Sequence, residues 1–195
     1  MNKGADFEKE RDLLDRQITY FHFEQAKKKA AKCIKAARKA NDYFYLFYFT
    51  AQKFIIQEEF EKALRYLNLC LKLNPGDGYS YNDKAVCLAE LGKYSRALAA
   101  FDEGIRKSQN RASLYHNKGW LLNTLGKYRQ SIIYFEKALE LENGRVEANF
   151  SLGDSHWHLG DKVRAKKYFL RALDQIKGKS SYIYREIKKR LEKQV

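Results

Sequence analysis

The sequence predicts an all-α protein built as an array of helix pairs, and three observations carry that prediction. One pattern returns every 34 residues without an insertion, the signature of a repeat architecture. A single proline and 11 glycines leave little turn chemistry for a many-stranded sheet, and the chain is rich in good helix formers. With 45% hydrophobic and 32% charged residues there is material for a continuous core and for its solvation, which excludes a disordered chain.

The repeat is visible first in its turns. Leu91-Gly92-Lys93-Tyr94 recurs as Leu125-Gly126-Lys127-Tyr128 and more loosely as Leu159-Gly160-Asp161-Lys162, while Gln57-Glu58-Glu59-Phe60 keeps the spacing without the glycine. A glycine after leucine and before the next helix marks a left-handed helix end. Small residues recur in three columns: Ala51, Ala85, Gly119 and Gly153; Ala63, Ala97, Ser131 and Ala165; Cys70, Gly104, Ala138 and Ala172. Such columns allow two helices to approach closely. Leu67, Phe101, Phe135 and Phe169 fill the complementary large column. Each unit is therefore a helix, a tight turn and a second helix.

In chain order the elements follow from these columns. A degenerate unit over 7–40 places Phe23 and Ala26 where Phe60 and Ala63 stand, with Cys33 in the small column. Four units then run in strict register over 44–77, 78–111, 112–145 and 146–179. Lys162 replaces an aromatic, so the fourth unit is expected to pack more loosely. Over 180–195, Tyr182, Ile183, Tyr184, Ile187 and Leu191 give an apolar face beside Lys188, Lys189 and Arg190, which reads as a terminal capping helix. The whole of 1–195 is expected to form one repeat domain.

These columns resemble the tetratricopeptide repeat, whose pattern runs aromatic, Leu-Gly, Tyr, Ala, Phe, Ala, Pro. Pro75 is the only proline in its column, where Gln109, Asn143 and Lys177 otherwise stand. The resemblance implies a right-handed superhelical solenoid of antiparallel helix pairs, a non-catalytic scaffold for protein partners, and a concave face lined by the first helix of each unit. On that face it places Tyr45, Tyr48, Phe49 and Gln52, then Tyr79, Asn82, Asp83 and Val86. Ser113, His116, Asn117, Trp120 and Asn123 follow, then Glu147, Phe150, Ser151, Asp154 and Trp157. Aromatics and amides dominate these positions, and their charged members are acidic. The expected ligand is a peptide with apolar anchors, held mainly by Tyr48, Trp120 and Trp157 and oriented by Asn82, Asn117 and Asn123. Burial of some of these aromatics by the preceding unit or by the N-terminal segment is the plainer alternative.

Many members of that family clamp the acidic tails of heat-shock chaperones with lysine, arginine and asparagine on three successive first helices. The matching slots hold Tyr48 and Gln52, then Asp83, then Ser113 and Asn117. One unit later they hold Asn82 and Val86, Asn117, then Glu147 and Ser151. The clamp is absent, and that role is not carried over. A secretion-chaperone role gains nothing from the basic balance.

The formal net charge of +14 is concentrated at the ends. Residues 24–40 carry seven lysines and arginines against one glutamate, and 177–195 carry seven against two acids. Lys28, Lys32, Lys35 and Lys39 follow 4-3-4 spacing and form one helical stripe, which the family places on the convex side. Nucleic acid or another anionic surface is the second class of partner, set against a merely solvated lysine face. Self-association through an exposed apolar end of the array is a third.

Nothing in the residues points to catalysis or a cofactor. His156 and His158 are spaced i, i+2 and point to different faces; His22 and His116 lack acidic or cysteine companions at ligand spacing. The phosphate-cradling, dinucleotide and nucleophile-elbow glycine motifs are absent. The three cysteines are odd in number, have no C-x-x-C spacing and fit packing positions, as buried thiols do. With no secretory or membrane-spanning pattern, a cytoplasmic setting is expected.

Overall fold

The computed structural model describes residues 6–19, 22–108, 111–144, 146–176 and 182–192. Gln109 and Lys177 of the proline column, Met1 to Ala5, and the outer residues of the expected capping segment lie outside them. The described residues form eleven α-helices and no strand. They group into two compact units, Met1–Ser108 and Gln109–Val195. The first holds α1 (Phe7–Thr19), α2 (Phe23–Lys39), α3 (Tyr43–Ile56), α4 (Phe60–Leu73), α5 (Gly78–Glu90) and α6 (Tyr94–Lys107). The second holds α7 (Ala112–Thr124), α8 (Tyr128–Leu141), α9 (Val146–His158), α10 (Lys162–Gln175) and α11 (Tyr182–Glu192). Within each unit a helix packs on the next in sequence. In addition α1 touches α3, and α9 touches both α7 and α11.

The ends of these helices have local causes. Asp42, Asp77 and Asp161 cap α3, α5 and α10, their carboxylates accepting from the backbone N–H of Tyr45, Ser80 and Arg164 at 3.1, 2.8 and 3.0 Å. Such caps satisfy donors that a helix start leaves open. At the other end, Gly92 has φ +69°; its N–H donates to the Ala89 carbonyl at 2.9 Å and that of Lys93 to Leu88 at 2.8 Å, a left-handed cap. Gly126 and Gly160 repeat it. Glu58 takes the same conformation at φ +59°, although a side chain there costs about 1–2 kcal/mol.

The core is the set of repeat columns. Ala51, Ala63, Ala85, Ala97, Ser131, Ala138, Ala165 and Ala172 are fully buried, and Leu67, Phe101, Phe135 and Phe169 are at most 1% exposed. Close approach is most severe at two glycines. A Cβ on Gly119 would sit 2.8 Å from the Phe135 ring, and one on Gly153 would sit 2.4 Å from Phe169. Lys162 is exposed at the start of α10, yet Ala165, Phe169 and Ala172 behind it have no exposed area. The looser packing expected of this unit is not found in those columns.

Candidate peptide-binding site

The first-helix positions of the first unit lie beneath α1. Its anchors follow helical spacing: the Phe7 ring centroid is 4.9 Å from Tyr45 and 6.0 Å from Phe49. Leu14 is fully buried in a cluster with Tyr48, Phe49, Ala26, Ala30 and Cys33. Between them Arg11 is 4% exposed. Its guanidinium carbon lies 3.8 Å from the Tyr79 ring centroid, 5.3 Å from Tyr48 and 5.7 Å from Tyr45, distances at which a cation is attracted to an aromatic face. Nη1 donates to Asp77 Oδ1 at 2.9 Å, while Glu8 accepts from Nη2 and from the Tyr45 hydroxyl. Asp12 accepts from the Tyr79 hydroxyl. Burial by itself lowers the Arg11 pKa, but Asp77, with Tyr48, Glu8 and Tyr45, more than offsets this and raises it.

Behind this cage sits a carboxylate with neutral donors. Asp83 accepts from the Tyr48 hydroxyl at 3.1 Å, from the Gln52 amide and from Asn82 at 3.2 Å. Burial, and then Asp15 on α1, push its pKa up to about 7 against the pull of those hydrogen bonds. Tyr48, Phe49, Gln52 and Asp83 are thus buried, Tyr45, Tyr79 and Asn82 are half-buried, and the exposed aromatic groove expected over this stretch is closed by the N-terminal segment.

In the second unit the outcome divides. Helix α11 covers part of α9: Phe150 and Trp157 pack with Ile183, Ile187 and Leu191 around Phe169. Arg190 pairs with Asp154, its guanidinium 5.6 Å from the Phe150 ring. Asn123 donates to Asp154 at 3.1 Å and to the Ser155 hydroxyl at 2.9 Å. Trp157, expected to be a free anchor, is therefore part of the α9–α11 packing. Trp120 on α7 is 46% exposed. His116 and Asn117, one turn earlier, are half-buried, with His116 Nδ1 and Asn117 Oδ1 3.2 Å apart.

The basic stripe also has a definite place. Lys28, Lys32, Lys35 and Lys39 are all exposed on α2, and the first three line a shallow depression with Lys29, Gln17 and Gln25. Cys33, Cys70 and Cys87 are buried free thiols, and burial raises their pKa to about 11 for Cys33 and about 12 for Cys70, and higher still for Cys87. They pack as small apolar groups and are not poised as nucleophiles. Among the described residues no cluster of histidine, cysteine, aspartate and glutamate is arranged to hold a metal. No helix among them is long and apolar enough to cross a membrane.

Sequence reasoning missed Arg11, Asp77, Glu8 and Arg190, because none lies in a first-helix groove column. The signal that marks α1 is the run Phe7, Arg11, Leu14, Ile18, which shares one helical face.

Comparison with known proteins bears on the fold. Tetratricopeptide repeat models match residues 66–99, 112–144 and 146–177. No curated protein matches the chain. Among solved structures, a thermophilic tetratricopeptide protein of Thermus thermophilus is similar at a TM-score of 0.77 and 16% identity, over 95% of this chain and 99% of that one. MamA is similar at 0.62 and 21%, over 83% and 93%. YrrB, described as a tetratricopeptide protein with an unusual peptide-binding site, is similar at 0.61 and 15%, over 91% and 89%. At these identities the likeness is one of fold. With the helix pairs, the packed columns and the family models in agreement, the chain belongs to the tetratricopeptide repeat family.

Proposed function

We propose that this chain is a non-catalytic scaffold that holds a peptide segment of a protein partner on the first-helix face of its second unit, with Trp120 as the anchor. Proteins of this family are generally interaction scaffolds, and a structural neighbour, YrrB, is described by its peptide-binding site. The observation that carries the reading is the exposure of Trp120: an indole 46% open to solvent, one turn from His116 and Asn117. An amphipathic ring supplies a large contact area at low entropic cost, and neighbouring amides orient a backbone. Glu147 on α9 biases the face toward neutral or basic segments, whereas Asp154 is paired with Arg190. The test is calorimetry with a peptide selected from a random display library against the full chain. Trp120→Ala should weaken binding by about 2 kcal/mol or more and leave the melting curve unchanged. A variant that loses stability but keeps its ligand would make Trp120 a core residue and the reading wrong.

A second reading attaches to α2. The four exposed lysines of the stripe, three of them around one depression, suit a polyanion such as RNA. Changing all four to glutamate should abolish that binding and spare peptide binding, and binding should weaken steeply with salt because phosphate neutralisation releases counterions. Salt-insensitive binding would count against it.

A further inference from the structure

Helix α1 meets the face of α3 and α5 as a peptide helix meets a groove. Its anchors Phe7, Arg11 and Leu14 stand at i, i+4 and i+7, the spacing by which a helix seats one side in a receptor surface. The receptor side is assembled largely without α1. Asp77 is fixed by its other oxygen, which caps α5 through the Ser80 N–H at 2.8 Å. Tyr48 is fixed by its hydroxyl on Asp83, and its ring meets that of Tyr79 edge-on at 6.5 Å. Three tyrosine rings around a buried carboxylate form a site for a guanidinium, which gains both the ring attraction and a charge-assisted hydrogen bond.

The hold of α1 combines polar ties with a few apolar contacts, Phe7 and Ile18 packing partly buried against the cluster of Tyr48 and Phe49. Only Leu14 among its apolar side chains is fully buried, whereas α2 buries Ala26, Ala30, Cys33 and Ala37. Its polar ties to the rest of the unit are Arg11 with Asp77, Glu8 with Tyr45, Asp12 with Tyr79, and Glu10 with Lys29. Elements held by few apolar contacts open at lower free energy than the rest of a fold.

We propose that the α3–α5 face is a binding site for an arginine carried on a helical segment of a partner protein, and that α1 occupies it as an internal competitor. The partner segment carries an aromatic, an arginine and a leucine at the spacing of Phe7, Arg11 and Leu14, with an acid following the arginine as Asp12 follows Arg11. A resident segment reduces the apparent affinity of its rival by the fraction of chains in which the site is open. This site lies in the first unit and uses none of the residues assigned to the Trp120 face, so either reading can fail alone.

The experiment uses the full chain and a fluorescein-labelled synthetic peptide of residues 6–19, with an Arg11→Ala version of that peptide as control. By fluorescence anisotropy the Arg11→Ala chain should bind the unaltered peptide at least about tenfold more tightly than the wild-type chain does, because its own helix no longer fills the cage. Adding Asp77→Asn to that chain, or Arg11→Ala to the peptide, should remove the gain. A folded Arg11→Ala chain that binds no more tightly overturns the proposal. If that variant does not fold, amide hydrogen exchange of the wild-type chain decides. Amides of α1 exchanging well ahead of those of α3 support the proposal, and amides of both exchanging together, only through global unfolding, overturn it.

Discussion

The two units treat the same repeat positions differently. In the first, a terminal helix lays Arg11 into three tyrosines and closes the face, leaving Arg11 and Asp77 side chains 5% and 6% exposed. In the second, α11 brings Arg190 to Asp154 over Phe150, but those two side chains remain 23% and 17% exposed, and α7 stays open at Trp120. Both terminal helices thus supply an arginine to an acid at or next to a first helix, and the degree of burial separates them. Aromatics at groove positions become core where a helix covers them and stay open to solvent where none does.

The largest expected effect follows from that contrast. Asp77→Ala removes the buried partner of Arg11 and the cap of α5, and should cost about 3–5 kcal/mol in a urea melt. Asp154→Ala breaks the more solvated pair and should cost no more than about 1 kcal/mol. Equal losses would erase the distinction. Next in size is the small column. Gly153→Ala forces a methyl into the Phe169 ring and should cost about 1–3 kcal/mol. The equivalent positions in the first unit, Ala51 and Ala85, already carry that methyl within a fully buried core, so replacing either with glycine should not be stabilising.

What could be read in advance follows the same line. The fold was legible because four units repeat small and large residues at fixed spacing, and each column has one packing explanation. The positions of the groove residues on first helices were legible too, since the register assigns Tyr48, Asp83 and Trp120 alike. Their exposure was not. It depends on α1 and α11, which lie outside the 34-residue register, and on Arg11 and Arg190, which read in sequence as ordinary surface charge. Glu58 is a local exception of another kind: the turn geometry held although its glycine was missing, because the hydrogen bonds of Glu59 to Phe54 and of Glu58 to Ile55 fix it.

Asp83 offers a pH test of the closed face. Its pKa is raised in the folded chain, so between about pH 4 and pH 7 the native state binds more protons than the unfolded state. By linkage stability should fall as pH rises through that window and level off above it. The groups facing Asp83 are Tyr48 and Gln52 from α3, Asn82 beside it and Asp15 from α1; in Asp83→Asn the decline over this window should flatten. A wild-type chain whose melting point rises steadily from pH 5 to pH 7 would contradict the assignment. The smallest expected change is Glu58→Gly, which should gain about 1 kcal/mol by relieving the left-handed backbone, seen as a rise in melting temperature.

The central claim, that the second unit offers an open aromatic anchor, is tested most directly by the two tryptophans of the chain. In a Trp157→Phe variant Trp120 is the sole indole, and acrylamide should quench it readily in the free protein. Saturating peptide from the display selection should reduce that quenching, while the Trp157 signal of a Trp120→Phe variant should stay constant. Trp120 quenched equally with and without bound peptide would contradict the account.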